Sequence, residues 1–212
     1  MSTTLVADDI LPESYDLRTV YPECNKDAKD NGFKVNWATG PVSVLEHRYC
    51  INYGVKVDLS TNHLEACAPK AKVPLKRAFN ALMTEGIASL ECVGNKKKCL
   101  TECVDPEVFL KYQCDSPTFV TSIDDIKRLI VEQGPVAANM AVFSDLKKYE
   151  RGIYKHTEGV FLGGHSVKIV GFTRDHWIVE NSWGKDWGEN GHFNIGYGEN
   201  EIDLMAATCE AL

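Results

Sequence analysis

A histidine at position 165 follows two glycines in "GGHSVKIVGF", and an asparagine at 181 opens "NSWGKDWGENG" sixteen residues later. Together they have the chemistry of a general base and the group that orients it. The carboxamide oxygen of Asn181 can hold one ring nitrogen of His165 and so fix which nitrogen keeps the proton. Trp183 and Trp187 follow at once and can keep water off that bond. Gly163 and Gly164 carry no Cβ, so a second chain can approach the imidazole closely. Such a base needs a nucleophile, and "NGFKVNWATGPVSVLEHRYCI" (31–51) reads as the start of a catalytic helix. Asn36 stands just before Trp37, where the nucleophile is expected. The carboxamide nitrogen has a delocalised lone pair and is not a competent nucleophile near neutral pH. Asparagine is instead among the best helix N-caps. Thr39 lies a turn further on and Ser43 two turns, so neither is an obvious substitute.

Two unlike halves must position these groups. The first carries helical patterns. Val42, Leu45, Tyr49 and Cys50 share one face, "SVLE" (43–46) offers a capping box, and a second helix is expected over about 75–83. The second half opens with a helix capped by Ser122 and stopped by Gly134-Pro135. Strands follow in "VAANMAVF", "HSVKIVGF", "HWIVENSW" and "HFNIGYG", with "TRD" turning a hairpin between two of them. Helices first and a barrel-like sheet second give an α+β fold. Its lobes span 1–110 and 111–212 and form one structural unit with the site in the groove between them.

The 212 residues suffice for a sizeable core, and 44% hydrophobic with 25% charged content is ordinary for a globular chain. A formal charge of −7 argues against nucleic-acid partners, which require a basic footprint. No apolar run approaches the roughly 18 residues of a membrane span. "MSTTLVADDI" lacks the basic and apolar regions of a secretory leader, so the chain is either cytosolic or a segment cut from a longer precursor. The eight cysteines favour the second alternative. Cys24, Cys50, Cys67, Cys92, Cys99, Cys103, Cys114 and Cys209 read as a disulfide framework made in an oxidising compartment. "CLTEC" has no second ligand pair at metal-site spacing, so no metal is expected. No other cofactor is implied. The "NKKK" run within 92–103 reads as a solvated loop.

These blocks resemble the papain family of cysteine peptidases, most closely its cathepsin B branch. The resemblance runs from about Leu11 to the C-terminus through "LPESYDLRTVYPEC", "LSTNHLEAC" and "EQGPVAANMAVFSDLKKYERGIYKH", together with the His165 and Asn181 blocks. It implies a papain-like fold of helical left lobe and antiparallel β-barrel-like right lobe. Against the family motif QGxCGSCWAF, Trp37 and Ala38 keep their places and Asn36 falls on the catalytic cysteine. The oxyanion glutamine falls on Asp30 or Asn31. The second motif cysteine falls on Phe33 or is deleted, and its GCNGG partner region reads "KAKVPLKR". Lys72 and Val73 thereby replace glycines of the substrate-binding wall. Met205 falls at the main specificity pocket, and the long occluding loop of the branch is absent.

In the family the helix begins at the nucleophile. Pro41 would then lack a required N–H and clash with the preceding turn, at ~3 kcal/mol. We therefore expect residues 36–40 to be distorted, with Thr39 capping a helix that Gly40-Pro41 opens. The resemblance also implies the pairings Cys24–Cys50, Cys67–Cys99 and Cys92–Cys103. Cys114 and Cys209 have no family counterpart, and a bridge between them stands against two free thiols. The function expected is that of a proteolytically inactive homologue, a monomer in a secreted or endolysosomal lumen. It would bind a protein or peptide in the interlobe cleft. A weakly active hydrolase and a structural or storage protein are the alternatives.

Overall fold

The period-two pattern of "VAANMAVF" sends Val136, Ala138, Met140 and Val142 into one apolar core and Ala137 into another. That strand is the wall shared by the two halves of the molecule. A computed structural model describes residues 11–104 and 108–212. Its helices are α1 (Leu17–Val20), α2 (Thr39–Tyr53), α3 (Thr61–Cys67), α4 (Pro74–Thr84), α5 (Leu90–Val93) and α6 (Ile123–Gln133). The strands are β1 (Tyr15–Asp16), β2 (Cys114–Val120), β3 (Val136–Phe143), β4 (Ile153–Tyr154), β5 (Phe161–Phe172), β6 (His176–Glu180), β7 (His192–Gly196) and β8 (Ala206–Ala211). One sheet runs in the order β2-β8-β3-β5-β6-β7-β4, with β1 pairing β5. All pairings are antiparallel except β4 with β7. This is the expected α+β, papain-like architecture of helices beside an antiparallel-dominated sheet.

Leu45, Leu64, Phe79 and Leu82 fill the helical core, where the sheet contributes Ala137, Ala207 and Cys209. Trp177, Phe193, Ile126 and Phe172 fill the other, and Leu17 joins them from the N-terminal segment. From His165 to Phe172 every residue of β5 is buried, because α2 covers one face and the second core the other. Four disulfides join Cys24–Cys50, Cys67–Cys99, Cys92–Cys103 and Cys114–Cys209, the last between the adjacent strands β2 and β8.

Several local expectations need correction. The apolar stripe on α2 was drawn too narrow: every residue from Thr39 to Cys50 is buried, including Glu46, His47 and Arg48. Ser43 and Glu46 do not form a capping box. The Glu46 carboxylate accepts the Leu59 N–H at 2.6 Å and the Lys29 ammonium at 2.7 Å. The helix starts at Thr39, so only residues 36–38 depart from it, and Gly40 and Pro41 lie inside its first turn. There Pro41 costs no hydrogen bond, because the first-turn N–H groups have no intrahelical acceptor. The helix expected over 75–83 runs from Pro74 to Thr84, with proline again in the first turn.

Gly40 explains how closely α2 seats. A Cβ there would lie 2.5 Å from Ser166 Oγ and 2.6 Å from the Val167 carbonyl oxygen of β5. Behind this contact lies a cluster of buried charge. Lys168 pairs with Glu180 at 2.8 Å, and both line a cavity of about 20 Å³ with Ser43, Glu46 and His47. Burial, reinforced by Lys168 and Arg48, pushes the His47 imidazole down to about 3. Burial also lowers His165 and His192. Unfolding returns these rings to an ordinary value near 6.5, so the unfolded chain binds more protons in the interval between. For His47, stability therefore falls as pH drops from about 6.5 toward about 3, by about tenfold in the folding constant per pH unit, and His165 and His192 act in the same direction. Urea unfolding across this range is expected to show net proton uptake. His47→Gln should reduce that uptake by about one proton. An unchanged slope would remove His47 from this role.

Candidate functional site

The hairpin of β5 and β6 carries His165 on one strand and delivers Asn181 just past the end of the other. His165 Nε2 lies 2.9 Å from Asn181 Oδ1, which also accepts the Ser182 N–H at 2.8 Å. An oxygen that accepts a backbone N–H must be the carboxamide oxygen, so Nε2 of His165 is the protonated nitrogen and donates to it. The lone pair on Nδ1 then faces α2, where it accepts the Asn36 backbone N–H at 2.9 Å. The ring is 1% exposed, and burial is the main reason it stays neutral. Trp183 lies over it, centroids 5.7 Å apart and nearly parallel, with its indole N–H donating to the Lys34 carbonyl. Trp187 stands edge-on to Trp183 at 5.0 Å and donates to the Lys147 carbonyl. Its shielding therefore acts through Trp183.

Asn36 is held on every polar atom. Its carbonyl accepts the Ser166 N–H at 2.7 Å. Oδ1 accepts the N–H groups of Ala38 at 2.7 Å and Thr39 at 3.2 Å, and Nδ2 donates to Glu65 Oε1 at 2.8 Å. The side chain that caps α2 is thus Asn36, whereas Thr39 was expected to do so. The Thr39 hydroxyl instead accepts from Asn31 Nδ2 at 3.0 Å. Of the two residues considered for the oxyanion position, Asp30 forms a backbone bridge with Trp183, and its carboxylate accepts the Gly32 N–H at 2.9 Å. Asn31 donates its backbone N–H to the Ser182 carbonyl.

Besides a cavity of about 770 Å³ against Asp30, Phe33, Trp183 and Trp187, two cavities border this centre. One of about 320 Å³ borders Asn36 and is polar, lined by Asp30, Asn31, Ser60, Asn62 and Asn95. The other, of about 410 Å³, is apolar, with Met140, Phe143, Phe161, Leu204 and Met205 around Gly164. Gly163 lies against Val35, where a Cβ would sit 3.2 Å from a methyl group. Lys72 and Val73 are exposed in the turn before α4 and line neither cavity. Arg77 stacks its guanidinium 4.1 Å over Trp37 and donates to the Ala68 and Pro69 carbonyls, closing that turn onto the tryptophan.

Glu65, Arg77 and Asn139 were not anticipated. Asn139 lines the apolar cavity with its Oδ1 buried and unpartnered among the described residues. No local pattern marks them. A glutamate within "HLEAC" is conspicuous only once α3 is known to face Asn36.

The profile of the papain family of cysteine proteases matches residues 11–211. The chain is 34% identical to cathepsin B-like CP1 of Giardia intestinalis, over 92% of this chain and 72% of the relative. It is 28% identical to cathepsin B-like cysteine proteinase 4 of Caenorhabditis elegans, over 95% and 75%. Among solved structures, procathepsin B S9 from Trypanosoma congolense superposes with a TM-score of 0.86 at 29% identity, covering 97% of this chain and 79% of that one. The chain belongs to the papain family of cysteine proteases, as a cathepsin B-like homologue.

Proposed function

We propose that the protein is a proteolytically inactive cathepsin B-like homologue that holds a protein or peptide in the cleft between its lobes without cleaving it. The observation that carries this reading is the 2.9 Å bond from the Asn36 N–H to His165 Nδ1. It occupies the lone pair a general base would use, and it diverts a backbone N–H from any developing oxyanion. The Asn36 side chain offers no thiolate, and its donors and acceptor are committed to Glu65, Ala38 and Thr39. The oxyanion position falls on Asp30 or Asn31: Asp30 would present an acceptor-only carboxylate where stabilisation requires a donor, and the Asn31 carboxamide donates instead to the Thr39 hydroxyl. His165, Asn181 and Trp183 persist as a packed, hydrogen-bonded core. Their retention is what favours the second reading, a residual hydrolase.

In this reading lobes 1–110 and 111–212 enclose the ligand, and the apolar cavity at Met205 takes one of its side chains. The four disulfides suit a secreted or lysosomal lumen. The monomer is the working form, and a net charge of −7 argues against nucleic-acid partners. Among the described residues no helix is long and apolar enough to cross a membrane.

The unmodified chain is expected to be inert toward fluorogenic dipeptide substrates and a covalent epoxide probe. Asn36→Cys should gain epoxide labelling yet turn over substrate slowly. Adding Asp30→Gln should raise kcat about 10²-fold or more, the usual worth of an oxyanion donor. Turnover by the unmodified chain that His165→Ala abolishes would overturn the reading.

Binding without cleavage gives a separate expectation. A peptide with a large apolar side chain, selected from a display library on the unmodified protein, should be recovered intact by mass spectrometry. Met205→Lys should weaken it about tenfold through lost apolar burial. Failure to select any peptide would favour a structural or storage role.

A further inference from the structure

The cysteine pairs differ sharply in accessibility. Cys24, Cys50, Cys114 and Cys209 are buried, and Cys92 is buried against a half-exposed Cys103. Cys67–Cys99 is the outlying pair: Cys99 is exposed and Cys67 only half-buried. Lys96, Lys97 and Lys98, all exposed, immediately precede Cys99. Such a positive setting attracts an incoming thiolate and favours thiolate over thiol.

Beneath the bridge lies His63, fully buried on α3. Its Nδ1 accepts the Ala88 N–H at 3.3 Å, so Nε2 carries the proton and donates to the Leu100 carbonyl at 2.9 Å. The same Nε2 is 3.4 Å from Cys67 Sγ. Cys67 Sγ also lies 3.9 Å from Nδ1 and so packs beside the ring, while the single Nε2 proton points to Leu100. His63, Cys67 and Cys99 also cluster within 4.8 Å as candidate metal ligands. With the sulfurs joined neither is a thiolate, and the proton on Nε2 blocks the ring nitrogen nearer to Cys67, so thiol exchange accounts for the cluster better than metal binding.

We propose that Cys67–Cys99 is a thiol-exchange and S-thiolation site for a small thiol of the glutathione class. The incoming thiolate attacks Cys99 Sγ and forms a mixed disulfide there. The electron pair of the broken S–S bond departs on Cys67 as a thiolate. A second thiolate, attacking the small-molecule sulfur, releases the low-molecular-weight disulfide and leaves the Cys99 thiolate.

The consequence reaches the cleft. Asn62 of α3 donates to the Asn95 carbonyl, and both line the cavity beside Asn36 with Leu90. Glu65, two residues before Cys67, holds the Asn36 carboxamide. Opening the bridge unties residues 94–103 from the helix that fixes Asn36, so the wall of that cavity loosens. This inference does not depend on whether the protein is active.

The test treats the intact, fully oxidised chain with graded reduced and oxidised glutathione, traps it by alkylation in acid, and maps the peptides. Cys67–Cys99 should open first, at least about tenfold faster than the buried pairs, with the glutathione adduct on Cys99 and the alkyl group on Cys67. Amide exchange in residues 90–104 should quicken while that of β5 and β6 holds. The surface variant K96Q/K97Q/K98Q, which leaves the core intact, should slow opening severalfold. Earlier opening of Cys92–Cys103, an adduct on Cys67, or no change of rate in the lysine variant would each overturn the proposal.

Discussion

The approach of α2 to β5 governs the rest of the molecule. Gly40 has no side chain at the point where one would strike Ser166 and Val167, so the helix lies directly on the strand. That contact lets the Ser166 N–H reach the Asn36 carbonyl and the Asn36 N–H reach His165. The two backbone groups of one residue thus bridge from the helical core to the sheet. Two lobes packed only by apolar surface could slide; two short directional bonds into a buried strand set their register. The imidazole takes its orientation from both sides of this junction, Asn181 on one and Asn36 on the other.

Burying so much of α2 has an electrostatic consequence. Glu46, His47 and Arg48 are drawn inside with it, and each must be answered. Lys29 and the Leu59 N–H answer Glu46, while Arg48 reaches the Cys209 carbonyl and the Glu210 carboxylate of β8. His47 has no partner for Nε2 among the described residues and stays neutral. The helix is therefore tied to the strand that Cys114–Cys209 staples to β2, and one charged face serves where an apolar face would have packed without direction.

Much of this was legible in the sequence because the signals are local. Alternation in "VAANMAVF", the Ser122 cap and the Gly134 stop need only neighbouring residues, and the His165–Asn181 spacing fits one hairpin. The papain-like blocks extended that reading to the whole fold. What escaped depends on partners far along the chain. Glu65 meets Asn36 across 29 positions, and Arg77 covers Trp37 across two intervening helices and their loops. The burial of α2 on all sides was hidden because Glu46 and Arg48 are residue types that mostly face solvent. Asparagine was rightly suspected of capping, yet Thr39 was preferred, since Pro41 fixes only that the helix starts late and not which side chain closes it.

The late start of α2 and the occupied imidazole are one adjustment. Asn36 Oδ1 accepts from Ala38 and Thr39 ahead of the first residue of α2, as a capping side chain does. The Asn36 backbone N–H, itself outside the helix, donates to His165 Nδ1. Pro41 stabilises the same arrangement, because it sits comfortably only in a first turn. Glu65 then completes it by accepting from the free end of the carboxamide. Asn36, His165, Pro41 and Glu65 thus favour one and the same backbone path into α2.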